Sequence, residues 1–165
     1  DIGLGIPAEP LFRSRSKGLQ MSIKQIRITV GNESGTLMEL TKVLADHDIE
    51  LRAMNLVDIK DVRSLRIIVD DVYTANMVLK AAGYDTVIRP VIVLELEDTP
   101  ESLPAFLAPL AAEGITLKYG YSFLENRQKR FYFAMRIEDY ERAEKVLIDA
   151  GFKPIMQDDL HRIFF

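Results

Sequence analysis

Apolar and polar positions along this chain switch between two periods. Ile26, Ile28 and Val30 alternate with Arg27 and Thr29, the period-two pattern of a half-buried strand. After Gly31–Thr36 the period lengthens. Leu37, Leu40, Thr41 and Leu44 recur at helical spacing, and Asp46-His47-Asp48 ends that predicted helix. Ile49–Val57 and Leu65–Val69 read as a strand pair turning at Ile59–Arg63. Asp70 or Asp71 is placed to cap a helix over Val72–Ala82, and Gly83 to stop it. Thr86–Arg89 reads as a short fourth strand.

The same order then returns. Val91–Leu96 is a strand, Asp98–Ser102 a loop, and Leu103, Phe106, Leu107 and Leu110 a helical stripe closed by Gly114. Ile115–Leu124 and Phe131–Ile137 form the second strand pair. Asp139 caps a helix over Tyr140–Ala150, Gly151 stops it, and Phe152–Met156 is the last predicted strand. At an offset of 66 residues Asn32 falls on Asp98, Leu37 on Leu103, Leu44 on Leu110 and Ile49 on Ile115; past the hairpin the offset is 68, and Gly83 falls on Gly151. Loops tolerate a two-residue change of this kind.

Each copy is therefore βαββαβ, the ferredoxin-like order. The predicted fold class is α+β: two tandem ferredoxin-like repeats whose antiparallel sheets carry their helices on one face. The boundaries are a leader or vector-derived arm over residues 1–20, repeat one over 21–89 from Met21, and repeat two with a tail over 90–165, with Pro90 at the joint. A repeat of about 65 residues is marginal alone, so the copies are expected to pack together, with further pairing into a homodimer. Pro104 and Pro109 fall in the first helix of copy two. Pro109 is expected to kink or shorten it.

Composition narrows the chemistry. The net charge is −4, and Arg127–Arg130 is the one dense basic cluster, read as a hairpin tip; no basic stripe for nucleic acid is visible. With no Cys, disulfides, thiolate metal sites and Cys nucleophiles are excluded. No apolar run reaches membrane-spanning length, and the predicted location is cytoplasmic, without nucleic acid or membrane as partners. His47 and His161 lack spaced ligand partners, so no metal site is expected. No GxSxG, P-loop or GxGxxG motif occurs. The chain is read as a non-enzyme with no catalytic residues and no cofactor.

Asn32-Glu33-Ser34-Gly35-Thr36-Leu37 resembles the Asn/Asp-x-x-Gly-x-Leu turn of ACT domains. Ile49-Glu50-Leu51 and Gly114-Ile115-Thr116-Leu117 are similar to that family's Gly-Ile-Asn-Ile approach to the second strand. Tyr119–Phe123 and Asp158-Asp159-Leu160 resemble free-standing bacterial proteins of two ACT repeats. The resemblance covers residues 24 to about 160. It implies a regulatory module that binds a small ligand, usually an amino acid, between repeats or chains. The turn after the first strand then faces the ligand, and the second strand of a neighbouring repeat closes the other side.

The residues support that site independently. A helix N-terminus offers free N–H groups and a positive dipole end to a carboxylate. Gly35 lets a ligand approach the backbone. Asn32 offers an amide oxygen, and Asp98 a charge, to an ammonium group. Asn55, Tyr121 and Ser122 are placed to complete the enclosure. The candidate ligand-binding set is thus Asn32, Glu33, Ser34, Gly35, Thr36, Leu37, Asn55, Asp98, Tyr121 and Ser122. Asn32 and Asp98 serve equally well as turn or cap residues, and core or interface packing explains the Tyr119–Tyr121 pair better than ligand stacking. Glu101 stands where copy one has Gly35, so the first turn is expected to be the intact half-site.

Three other readings stand beside this one. A module that assembles with itself or a partner without ligand fits the repeats, since no catalytic domain is attached and regulation requires a partner enzyme in trans or a sensing role. An RNA-binding fold of related topology needs exposed aromatics on a basic surface; Phe131–Phe133 lie near Lys129 and Arg130, but the chain is acidic. Acylphosphatases share the order of elements, but resemble a loop with an Arg after the first strand, and residues 31–36 contain none.

Overall fold

The structure is a computed structural model, and it describes residues 22–124 and 130–163. The 1–20 arm and most of the basic tip, residues 125–129, lie outside the described residues.

Six strands form a single antiparallel sheet. They are β1 (Ile23–Val30), β2 (Leu51–Ile59), β3 (Val62–Val69), β4 (Thr86–Glu97), β5 (Tyr119–Leu124) and β6 (Arg130–Arg136), in the spatial order β2-β3-β1-β4-β6-β5. Helices α1 (Thr36–Asp46) and α2 (Val72–Ala81) belong to repeat one; α3 (Ser102–Ala112) and α4 (Tyr140–Asp149) belong to repeat two. The chain ends in a short helix, α5 (Gln157–Ile163).

Strand parity separates the two faces. On one face Ile26, Ile28 and Val30 join Leu40, Leu44, Ala75 and Leu79 in the core under α1 and α2. On that same face Ile92, Leu94 and Leu96 join Phe106, Leu110, Ala143 and Leu147 under α3 and α4. The four repeat helices, α1–α4, therefore lie on one side. The opposite face builds a third core from Ile23, Ala53, Ile68, Val91, Val93, Tyr121, Phe123, Tyr132 and Ala134, closed by Ile155 and Leu160 of the tail. That side is concave: the outer strands β2 and β5 approach each other across it.

The expected strands Thr86–Arg89 and Val91–Leu96 are one twelve-residue strand. It pairs with β1 as far as Val91 and with β6 from Ile92. Pro90 stands opposite Lys24, whose N–H turns away to the Gln157 side chain at 3.1 Å. In such a non-hydrogen-bonded pair both nitrogens point outward. The missing N–H of Pro90 thus falls where β6 has not yet begun to pair, and it interrupts no ladder.

A second difference lies further along the chain. The expected strand Phe152–Met156 does not form; only a single bridge, Met156 to Ser22, and the bond from Ile155 N–H to the Val93 carbonyl (2.8 Å) remain. β1 leaves the edge of β4 at Val91, so the segment does reach that edge beyond it, but Pro154 has no N–H to donate and the pairing stops at these two contacts. The chain turns into α5 instead, and the Gln157 amide nitrogen donates to the carbonyls of Val69 and Asp70. Two strands are also trimmed or shifted at their starts, β2 beginning at Leu51 and β5 at Tyr119.

Helix α3 is not shortened by Pro109. Like α1 it spans eleven residues. Pro104 sits in the first turn, where its missing N–H would have no intrahelical acceptor. Asp48 and Gly114, which correspond between copies, both adopt positive φ after their helices (54° and 70°), a conformation Asp tolerates better than most residues.

Asp71 caps α2, its carboxylate accepting from the Thr74 N–H at 3.1 Å and the Thr74 hydroxyl at 2.7 Å. These hydrogen bonds, the hydroxyl's first, hold the Asp71 carboxyl below its usual range. Asp71→Ala is expected to cost about 1 kcal/mol at neutral pH. A depressed folded-state pKa means that the cap stabilises above the ordinary Asp range and loses its contribution as pH falls through the lowered value. The stability gap between wild type and variant, from urea denaturation at pH 7 and at pH 3, should therefore narrow in acid.

Candidate functional site

The turn between β1 and α1 is built by three neighbours. Lys60 and Asp61, both at positive φ (51° and 66°), close the β2–β3 hairpin tightly. The Asn32 amide nitrogen donates to the Asp61 carbonyl at 2.9 Å, tying turn to hairpin. This leaves the Asn32 amide oxygen as a free acceptor type. The Thr36 hydroxyl donates to the carbonyls of Gly31 and Glu33, at 2.8 and 2.9 Å, and accepts from Arg63 Nη2 at 2.9 Å. Arg63 also donates through Nε to the Gly31 carbonyl at 3.1 Å. Arg63 thus buttresses the turn and places a cation beside it. As a charged residue at a strand start it carries no sequence signal for this role.

Gly35 is the residue before α1, at φ 93°, and a Cβ there would meet nothing within 4 Å. The space beside it is open, while the conformation is one that only Gly adopts without strain. No side chain caps α1. Thr36 N–H reaches the Glu33 carbonyl and Glu39 N–H the Gly35 carbonyl, but Leu37 and Met38 N–H find no acceptor among the described residues. Two adjacent donors therefore point out of an exposed helix start, beside a glycine and an arginine.

The corresponding turn of repeat two differs at each of these points. Glu101 precedes α3 in a right-handed conformation, φ −80°. The residue matching Met38 is Pro104, which has no N–H, so one of the two donors is gone. The Ser102 hydroxyl turns back onto the Glu97 carbonyl. The adjoining cavity carries Glu95, Glu97 and Glu101 against a single Arg130, which is already paired with Glu95.

The remaining candidates separate. Asn32–Leu37 follow the end of β1, and Asp98 follows the end of the antiparallel β4, so they occupy opposite ends of the sheet. Ser122 lies opposite Phe133, whose side chain packs on the helix side. Asn55 and Tyr121 both face the concave side. There Gln25, 1% exposed, accepts from the Tyr121 hydroxyl at 2.6 Å and donates to the Tyr119 oxygen at 2.7 Å. Burial foremost, then neighbouring Tyr119, pushes the Tyr121 hydroxyl well above its ordinary pKa. Asn55 accepts from Arg66 Nη1 at 3.2 Å, and the Arg66 guanidinium lies 3.5 Å from the centre of the Tyr119 ring. Along β2, Asn55 is four residues from Ile59, about 13 Å from the hairpin beside Asn32.

Two ferredoxin-like repeats fused through one shared strand, with an open glycine turn before the first helix, define a paired small-domain module. The chain matches the ACT domain pair family over residues 21–164 and belongs to it. A protein from Bacteroides thetaiotaomicron is 31% identical, with a TM-score of 0.79 over 86% of this chain and 97% of that one. The regulatory subunit of aspartate kinase from Thermus thermophilus, in a ligand-free form, shares the fold at 16% identity and TM-score 0.56, over 79% of this chain and 93% of that one. That of Thermus flavus gives the same values. No curated protein matches the chain. Among the described residues no helix is long and apolar enough to cross a membrane.

Proposed function

We propose that this ACT domain pair is a regulatory sensor whose ligand, an amino acid, seats its carboxylate on the β1–α1 turn of repeat one. The observation that carries this reading is the asymmetry of the two turns. The first has two free N–H donors, an open glycine and a neighbouring arginine; the second has one donor, a proline and an excess of carboxylates. A carboxylate is favoured where free N–H groups and a dipole end converge. The Asn32 amide oxygen then accepts from the ammonium group.

Asp98, Asn55, Tyr121 and Ser122 do not reach this turn within one chain, so a second copy closes the ligand's far side and the protein works as a homodimer. Ligand binding then shifts an assembly or partner equilibrium, by no more than its preference for one state. Control of a partner enzyme in trans suits a chain related in fold to a regulatory subunit of aspartate kinase.

Thermal unfolding of the full chain against each of the twenty amino acids tests this reading. A ligand at 100 times its dissociation constant adds about 2.7 kcal/mol, a rise of roughly 5–11 °C for a chain of this size. A rise confined to one or a few amino acids is expected. The same midpoint with all twenty would leave the ligand-free assembly module as the better reading.

A further inference from the structure

Arg66 holds a permanent charge to which no described residue offers a paired carboxylate. It is 8% exposed, and its Nε is buried without a hydrogen-bond partner. Among the described residues its polar contacts are the Asn55 amide oxygen and the face of the Tyr119 ring. Neither carries a negative charge. A guanidinium cannot shed its proton to escape burial, and an unpaired buried charge is strongly unfavourable.

The neighbours deepen the imbalance. Arg27 is the direct cross-strand partner of Arg66, an arrangement that like charges disfavour. Arg89 stands opposite Gln25, and Arg136 opposite Tyr119, at the same end of the concave face. Glu138, which feels the charges of Arg136 and Arg89, is exposed and held by Lys118 at 3.0 Å. Beneath these arginines Gln25 joins the Tyr121 and Tyr119 hydroxyls, so the floor of the site is tied together before anything binds.

We propose that the concave face is a second ligand site, a seat for the oxyanion group (carboxylate or phosphate) of a small molecule held between Arg66 and Arg27. The remaining guanidinium donors of Arg66 form charge-assisted hydrogen bonds to the anion. The Asn55 amide nitrogen, not engaged in the bond to Arg66, adds a neutral donor. This seat lies on the face of the sheet away from α1 and shares no residue with the Asn32–Leu37 turn.

The test is thermal unfolding of the full chain at constant ionic strength, with sodium chloride replaced stepwise by acetate, succinate or inorganic phosphate. A rise of roughly 3–6 °C is expected for at least one of them at ten times its dissociation constant. Acetate and succinate against phosphate decide which oxyanion the seat takes. Arg66→Met should abolish the rise and, in chloride alone, melt no lower than wild type, because the unpaired charge is gone. Arg27→Gln, at a half-buried position, should fold and weaken the anion about tenfold. Equal midpoints in all four salts, or a rise that survives in both variants, would overturn the proposal. Gly35→Asp should leave this response intact, so failure here and failure of the amino-acid site are separately visible.

Discussion

Phe106→Ala is expected to remove about 3–5 kcal/mol of stability, the range for emptying a fully buried aromatic site. For a chain of this length that lowers the melting midpoint by roughly 6–20 °C. Phe106 is completely buried and is the largest such side chain among the described residues. It enters the core from α3, and its ring meets that of Phe133 on β6 at 5.5 Å between centres, tilted by 47°. Ile92 and Leu94 of β4, Leu110 of α3 and Met135 of β6 complete this core. The Phe133 ring is itself hemmed in: a Cβ at Gly120 would lie 2.5 Å from it, so it has little room to move toward β5. A rigid surround leaves a cavity, and the penalty falls toward the upper end. Leu107→Ala, next in sequence but 37% exposed, serves as the control and should cost under about 1 kcal/mol. Ala favours helix more than either residue, so propensity offsets both losses. Urea denaturation of both variants decides the matter, and equal costs would mean that α3 does not seat its Phe106 face on the sheet.

The same residues show what could be read before any coordinates. Phe106 was legible because helical spacing put it with Leu103, Leu107 and Leu110, and only two faces of such a stripe can turn inward. A cap at Asp70 or Asp71, which the structure resolves to Asp71, the cap at Asp139 and the stop at Gly151 were legible because their chemistry is local. The fused strand was not. Proline reads as a break, and its tolerance at position 90 depends on where β4 changes neighbours, which is a property of the whole sheet. The lost strand at Phe152–Met156 has a local cause instead, since Pro154 lacks the N–H that a ladder there would need. Arg66, like the fused strand, was hidden by a property of the sheet. In an alternating strand a charged residue reads as solvent-facing, yet this sheet buries both faces, and the concave one takes Gln25 and Arg66 along with Tyr121. For the ligand set, the turn Asn32–Leu37 forms a local unit as its spacing suggested. Asp98, Asn55 and Tyr121 depend on sheet order, which period alone does not specify.

Substitution at Gly35 should have the largest effect on ligand response, and its design must separate charge from strain. Any side chain at φ 93° costs backbone energy, so Gly35→Asp alone would confound a lost ligand with a destabilised turn. Asp and Asn are close in shape, and both tolerate positive φ better than other residues. The pair Gly35→Asp and Gly35→Asn should therefore melt within about 0.5 kcal/mol of each other without ligand. Their responses to the amino acid should differ. A Cβ at this position meets no protein atom, so either side chain projects into the open space that the proposed carboxylate would share. Asn adds bulk beside the free N–H groups of Leu37 and Met38. Asp adds the same bulk and a negative charge within a few ångströms of the proposed carboxylate, a repulsion of about 1–4 kcal/mol at surface dielectric. Gly35→Asn is thus expected to weaken binding, and Gly35→Asp to weaken it a further tenfold or more, with the gap shrinking as salt is raised. Calorimetric titration of both variants at low and high ionic strength reads this directly. Equal affinities for the two would place the carboxylate away from the α1 terminus, and wild-type affinity in both would remove the turn from the site altogether.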